Sequence, residues 1–139
     1  MTFKFTPELT FSWPVKVIEP DPNNAGKKLE HVFTARFATM DPDEAKAADA
    51  ERAAILRPMK PDMKAKEARA MQEQLDLHDR VALRRVLRGW DEDLQDADGK
   101  PIPFNDETFA LIFRFPHIRH ALVRAYGEAI SDDGGRLGN

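Results

Sequence analysis

His117 and His120 stand three residues apart in a segment patterned as a helix, a spacing that can turn two imidazoles toward one metal ion. A third ligand would have to come from His31, His78 or a carboxylate, and no partner spacing of a metal motif accompanies the pair. His117 also abuts Pro116 at a helix start, so the reading is two surface imidazoles and no metal. His78-Asp79 and His31 could serve a Ser-His-Asp relay only with a nucleophile elbow, and Gly-x-Ser-x-Gly is absent from the sequence. Asp91, Glu92, Asp93, Asp96 and Asp98 crowd one loop without EF-hand spacing. They lack the closing Glu, and Pro101 and Pro103 fall where a calcium loop would continue. The glycines are too scattered to cradle a phosphate. With no cysteine, thiolate catalysis, disulfides and Cys-based zinc or iron–sulfur sites are excluded. The sequence predicts no catalytic residue, no metal, no cofactor and no enzyme.

What remains is contact chemistry, and the elements that position it are readable. Between Leu87 and Asn105 the chain passes from a helical pattern through Gly89, Trp90, an Asp98-Gly99 turn and a Pro101–Pro103 extended run to a fresh helix cap. Gly89 is expected to end the preceding helix with a positive φ, and Trp90 to anchor the joint just beyond it. Asn105 should cap the next helix, with Asp106 and Glu107 complementing its dipole.

Upstream, Trp13, Val15 and Val17 alternate with Pro14, Lys16 and Ile18. After the turn signal Asp21–Gly26, Leu29, His31, Phe33, Ala35 and Phe37 alternate with Glu30, Val32, Thr34, Arg36 and Ala38. These runs predict a β-hairpin over 13–39, with Phe3–Phe5 as a candidate third strand. Asp41-Pro42-Asp43-Glu44 reads as cap, Pro at the first helical position and acidic first turn, opening a helix to Leu56 or Arg57. Pro58 and Pro61 interrupt. Asp62 is expected to cap a long helix to Arg88, with Met71, Leu75, Ala82 and Val86 on its inner stripe and Leu83 and Leu87 widening it. Asp106 to Phe115 predicts a short helix, and His117 to Ile130 a last one with Ile118, Ala121, Leu122, Ala125 and Ala129 inward. Residues 131–139 read as a flexible tail.

The fold class is therefore α+β: an N-terminal β-hairpin or small antiparallel sheet, then a mainly helical part. One domain over 1–139 is expected, β-rich over 1–40 and helical over 41–130. The core bets are Trp90, Phe104, Phe109, Ile112, Leu122 and Tyr126. At 139 residues, 42% hydrophobic and 32% charged with a net charge of −3, the chain has the composition of a globular protein. That charge offers no general attraction to nucleic acid or anionic membrane. Met1–Glu8 holds no apolar run of signal-peptide length, nothing approaches a membrane span, and no small-molecule substrate is implied. The expected location is the cytoplasm.

Val86-Leu87-Arg88-Gly89-Trp90, Asp98-Gly99-Lys100-Pro101-Ile102-Pro103-Phe104 and Ala121-Leu122-Val123-Arg124-Ala125-Tyr126 give the chain a resemblance to the tail assembly chaperones of long-tailed bacteriophages, encoded by phages and prophages. The Phe-led start, the hairpin around Pro14–Val17 and the Ala-rich helix that follows are similar too. The acidic run Asp91–Asp96 departs from the family's shorter link before the glycine turn. The resemblance implies a non-enzymatic virion-assembly factor in the cytoplasm of a bacterial host. Its partners would be the tape measure protein and the major tail protein, with self-association left open. Met59, Met63 and Phe115, at helix edges, are the expected partner contacts. Two alternatives stand beside it. One is a structural minor tail component retained in the virion. The other is a helix-turn-helix DNA reader built on Phe109–Ala129 with Arg114, Arg119, Arg124 and His120, against which Glu128, Asp132 and Asp133 weigh.

Overall fold

Strict alternation builds the sheet. In the computed structural model, which describes residues 1–131, β1 (Thr10–Pro20) and β2 (Lys28–Ala38) pair antiparallel, Val15 opposite Phe33 and Trp13 opposite Ala35. Val15, Val17, Phe33, Ala35 and Phe37 are buried, as the period of two requires of a half-buried strand. The alternation fades toward the turn, where Leu29 and His31 share the core-side face but stay exposed. The turn is tied by Asp21, whose backbone N–H donates to the Lys27 carbonyl at 2.8 Å. Its carboxylate accepts from the Asn23 N–H at 2.9 Å and the Asn24 side-chain amide at 2.8 Å. Those donors hold the Asp21 carboxyl below its ordinary value, the Asn23 N–H having the larger effect. Gly26, at φ +81°, supplies the left-handed position.

The third strand comes from elsewhere than expected. Phe3 and Phe5 remain 83% and 77% exposed, and β3 (Leu87–Trp90) pairs with β2 instead, giving the order β1-β2-β3. The helix before it therefore stops at Val86 rather than Arg88, and Gly89 is no helix terminator: among the described residues only Gly26 and Gly99 have positive φ. Gly89 lies opposite Arg36 within the ladder, and a Cβ there would meet nothing within 4 Å. A register shift at Arg88 explains the choice of strand. Leu87 lies opposite Phe37 and Trp90 opposite Ala35, and these two β2 residues share a face. Three residues apart, Leu87 and Trp90 would face opposite ways in a regular strand; one bulged residue turns both inward.

Contacts divide the chain into two compact units, residues 1–9 with 39–86, and residues 10–38 with 87 onward. In the first, α1 (Pro42–Leu56) begins as expected, Asp41 accepting from the Asp43 N–H at 3.0 Å with Pro42 at the first helical position. It pairs with α2 (Ala65–Val86). Asp62 does not cap α2: a turn in which the Met63 N–H donates to the Lys60 carbonyl intervenes, and the helix opens three residues later. Met71, Leu75, Leu83 and Val86 are buried on α2, whereas α1 has no buried residue.

In the second unit, α3 (Asp106–Phe113) and α4 (Pro116–Ile130) complete the core. Asn105 caps α3 reciprocally: its side chain accepts from the Thr108 N–H at 2.9 Å while its own N–H donates to the Thr108 hydroxyl at 3.0 Å. α3 ends two residues before Phe115, because Pro116 opens α4 and pushes the preceding residue out of helical geometry. Ala121, Leu122 and Ala125 are buried, and Ile118 and Ala129 half-buried. α4 packs on β1, and the Tyr126 ring lies 5.6 Å from that of Phe37. Ser131 is exposed; the rest of the expected tail, 132–139, lies outside the described residues.

Candidate functional site

Trp90 is the hinge pin of the second unit. It is 8% exposed, its indole N–H donates to the Ile102 carbonyl at 2.6 Å, and its ring meets Phe104 edge-on at 4.8 Å. The loop between them is a small hairpin. The Ile102 N–H donates to the Leu94 carbonyl, the Asp96 N–H to the Lys100 carbonyl, and the Gly99 N–H to the Asp96 carbonyl, with Gly99 at φ +80°. The Asp96 carboxylate accepts from the Asp98 and Lys100 N–H groups, an Asx turn that fixes the tip.

The acidic run does structural work that its composition does not reveal. Asp91 donates its N–H to the Thr34 carbonyl, and its carboxylate pairs with Arg36 at 2.9 Å. Asp93 accepts the Thr34 N–H at 3.0 Å and the Thr34 hydroxyl at 2.8 Å. Where β3 runs out, a side chain takes over the backbone's role and satisfies a β2 donor. Nothing near Asp93 in the sequence signals this, since Thr34 is 59 residues away.

The loop, the hairpin and the two helices enclose an open groove of about 580 Å³. Val17, Phe33, Ile112 and Ile118 give it an apolar lining, and Glu19, His31, Asp93 and Asp96 a polar one. Glu19 joins elements far apart in sequence. One of its oxygens lies 2.8 Å from His117 Nε2 on α4, the other 3.7 Å from His31 Nε2 on β2. The two rings take different oxygens of one carboxylate, an arrangement that ties α4 to the hairpin instead of converging on an ion. His120 is exposed. Among the described residues, no group of three His, Cys, Asp or Glu is arranged to hold a metal.

The β1 edge of the sheet is poorly suited to strand addition over Pro14–Lys16. Arg124 donates to the Lys16 carbonyl at 3.0 Å, so the backbone groups of Lys16 point away from β2. Pro14 and Pro20 share that parity and present no N–H on the same edge. Arg119 donates to the Phe113 carbonyl and lies 5.5 Å above the Phe113 ring. Two arginines that a DNA reader would project are thus bound to the chain itself.

The expected partner contacts divide between the units. Met59, in the α1–α2 connection, is 60% exposed, and Met63, in the same connection, is half-buried. Phe115, in the second unit, is 46% exposed at the N-cap of α4, edge-on to His117. Of the core bets, Trp90, Phe109, Ile112 and Leu122 are buried, and Phe104 and Tyr126 half-buried. Leu77 and Val81 on α2 are 61% and 48% exposed; their spacing of four is visible in the sequence, but not which face of the helix stays open.

The fold defines the class: α+β, with a three-stranded antiparallel sheet and four helices among the described residues. Among the described residues, no helix is long and apolar enough to cross a membrane. Compared with protein families, with characterised proteins and with solved structures, the chain matches none.

Proposed function

We propose that this chain is a tail assembly chaperone of a long-tailed phage or prophage, acting in the bacterial cytoplasm without catalysis. It would hold the tape measure protein and help bring major tail protein subunits to it. The resemblance in the joint, the glycine turn and the last helix supports the reading. The observation that carries it is the state of α1: fifteen residues of helix, none buried. A helix so lightly packed is held by few apolar contacts and is free to re-pack around another amphipathic helix at little cost. Exposed Met59 and half-buried Met63 at its end add side chains that adapt to irregular surfaces.

Co-expression with a tape measure protein tests this. The chaperone reading expects the client to stay soluble only in the presence of the chain, and to be retained with it on purification. A client equally insoluble with and without the chain overturns it. Joint replacement of Met59, Met63 and Phe115 by Ala, with folding intact and capture unchanged, removes those three as contacts. Stoichiometric recovery of the chain from mature particles would instead make it a structural minor tail component.

A further inference from the structure

Beyond the end of β3, the second edge of the sheet is open. Arg124 takes the Lys16 carbonyl from outside the β1–β2 pair, and Lys16 lies opposite Val32, so these two residues turn their backbone groups away from each other. Glu30 and Thr34 share the parity of Val32, and the N–H and C=O groups of all three point to the β3 side of β2. β3 pairs with β2 only over Ala35–Phe37, and Asp91 and Asp93 satisfy Thr34. Among the described residues, nothing bonds the backbone of Glu30 or Val32 on that side. Such an unpaired stretch is a template for one more strand. The open groove lies against it, with His31, Val32 and Phe33 in its wall.

We propose that Phe3–Phe5 of a second copy adds to this edge as an antiparallel strand, with Lys4 opposite Glu30. Phe3 then stands opposite His31 at the groove and Phe5 opposite Leu29, which is itself 39% exposed. The pattern of the segment selects it as occupant. Extended, it turns both exposed rings to one side and Lys4 to the other. Glu30 lies on the face of β2 opposite to that of Leu29 and His31, so in this register Lys4 meets a carboxylate while the rings meet the groove side. A chain cannot fill its own edge. The Thr39 N–H donates to the Leu9 carbonyl at 2.9 Å and holds Leu9 beyond the far end of β2. From Leu9 to Lys4 the chain reaches at most about 18 Å, whereas Thr39 to Glu30 spans about 30 Å of strand. Exchanged both ways, the contact occurs twice about a two-fold axis. The proposal is independent of the chaperone reading, since it needs no client.

Sedimentation velocity on the full chain, with disulfide trapping, tests it. The expected result is a concentration-dependent dimer. Phe3→Ser/Phe5→Ser should raise its dissociation constant tenfold or more with unchanged circular dichroism, since neither ring is buried in the chain itself. Lys4→Glu should weaken the dimer, and Lys4→Glu/Glu30→Lys should recover it. The sequence has no cysteine, so trapping is specific. Lys4→Cys and Glu30→Cys chains, mixed and mildly oxidised, should link one to the other, because directly paired residues of this kind lie about 5.5 Å apart between Cα atoms, within disulfide reach. A chain monomeric at every concentration overturns the proposal. So does a dimer indifferent to Phe3→Ser/Phe5→Ser, or a mixture that forms no mixed link. A link confined to single chains in Lys4→Cys/Glu30→Cys would also overturn it. Binding of a synthetic Thr-Phe-Lys-Phe-Thr peptide by a chain that stays monomeric would assign the edge to a strand of another protein.

Discussion

The two units of this molecule solve the same problem with different thoroughness. In the sheet unit, Phe37, Leu87, Leu122 and Val15 are fully buried, and capping, Asx and side-chain-to-backbone hydrogen bonds tie the loops. In the helical unit, α1 has no fully buried residue, only half-buried ones such as Ala48 and Ile55, and α2 leaves Leu77 and Val81 exposed. Among the described residues, no polar or charged residue is buried. The contrast is therefore one of apolar packing within each unit.

Replacing Trp90 with Ala removes a ring, a hydrogen bond and the Phe104 contact together. A destabilisation of about 3–5 kcal/mol is expected by urea titration. A loss below about 1 kcal/mol would show the joint to be peripheral and erase the contrast. Leu122→Ala should cost about 2–5 kcal/mol, while Leu77→Ala, on the exposed side of the other unit, should stay within about 0.5 kcal/mol. Equal costs would mean that both units are packed alike. Asn105→Ala, which breaks the reciprocal cap, should cost about 0.5–2 kcal/mol. Native-state hydrogen exchange sharpens the comparison further, with α1 amides opening well before those of β2.

The smallest effect sits in the β1–β2 turn. Because the folded Asp21 carboxyl lies below its ordinary value of about 3.8, its stabilisation is present above that pH. It is lost as pH falls through the lowered value. The difference in urea midpoint between the chain and Asp21→Asn should narrow on that side, and a constant difference would show that the charge plays no part.

Local chemistry was legible where one short segment decides the outcome. Asp41-Pro42 sets a helix start, Asn105 a cap, Asp98-Gly99 a turn, and alternation over Trp13–Phe37 a hairpin. These depend on backbone dihedrals and hydrogen bonds within a few residues, so composition and spacing suffice. The exposed methionine of the α1–α2 connection was legible for the same reason, from prolines that end a helix.

Competition between distant segments was not legible. Phe3–Phe5 qualifies as a strand by residue type and Leu87–Trp90, with its glycine, does not, yet packing chose the second, through a bulge that buries Leu87 and Trp90 together. Asp93 became a sheet-completing acceptor because folding brought it to Thr34, and Glu19 a tie because folding brought it to His117. The sequence by itself determined the hairpin, the four helices and the caps at Asp41 and Asn105, since those energies are local. The tertiary structure alone decided the third strand, the groove and the open face of α2, since burial is shared among segments that no spacing rule connects.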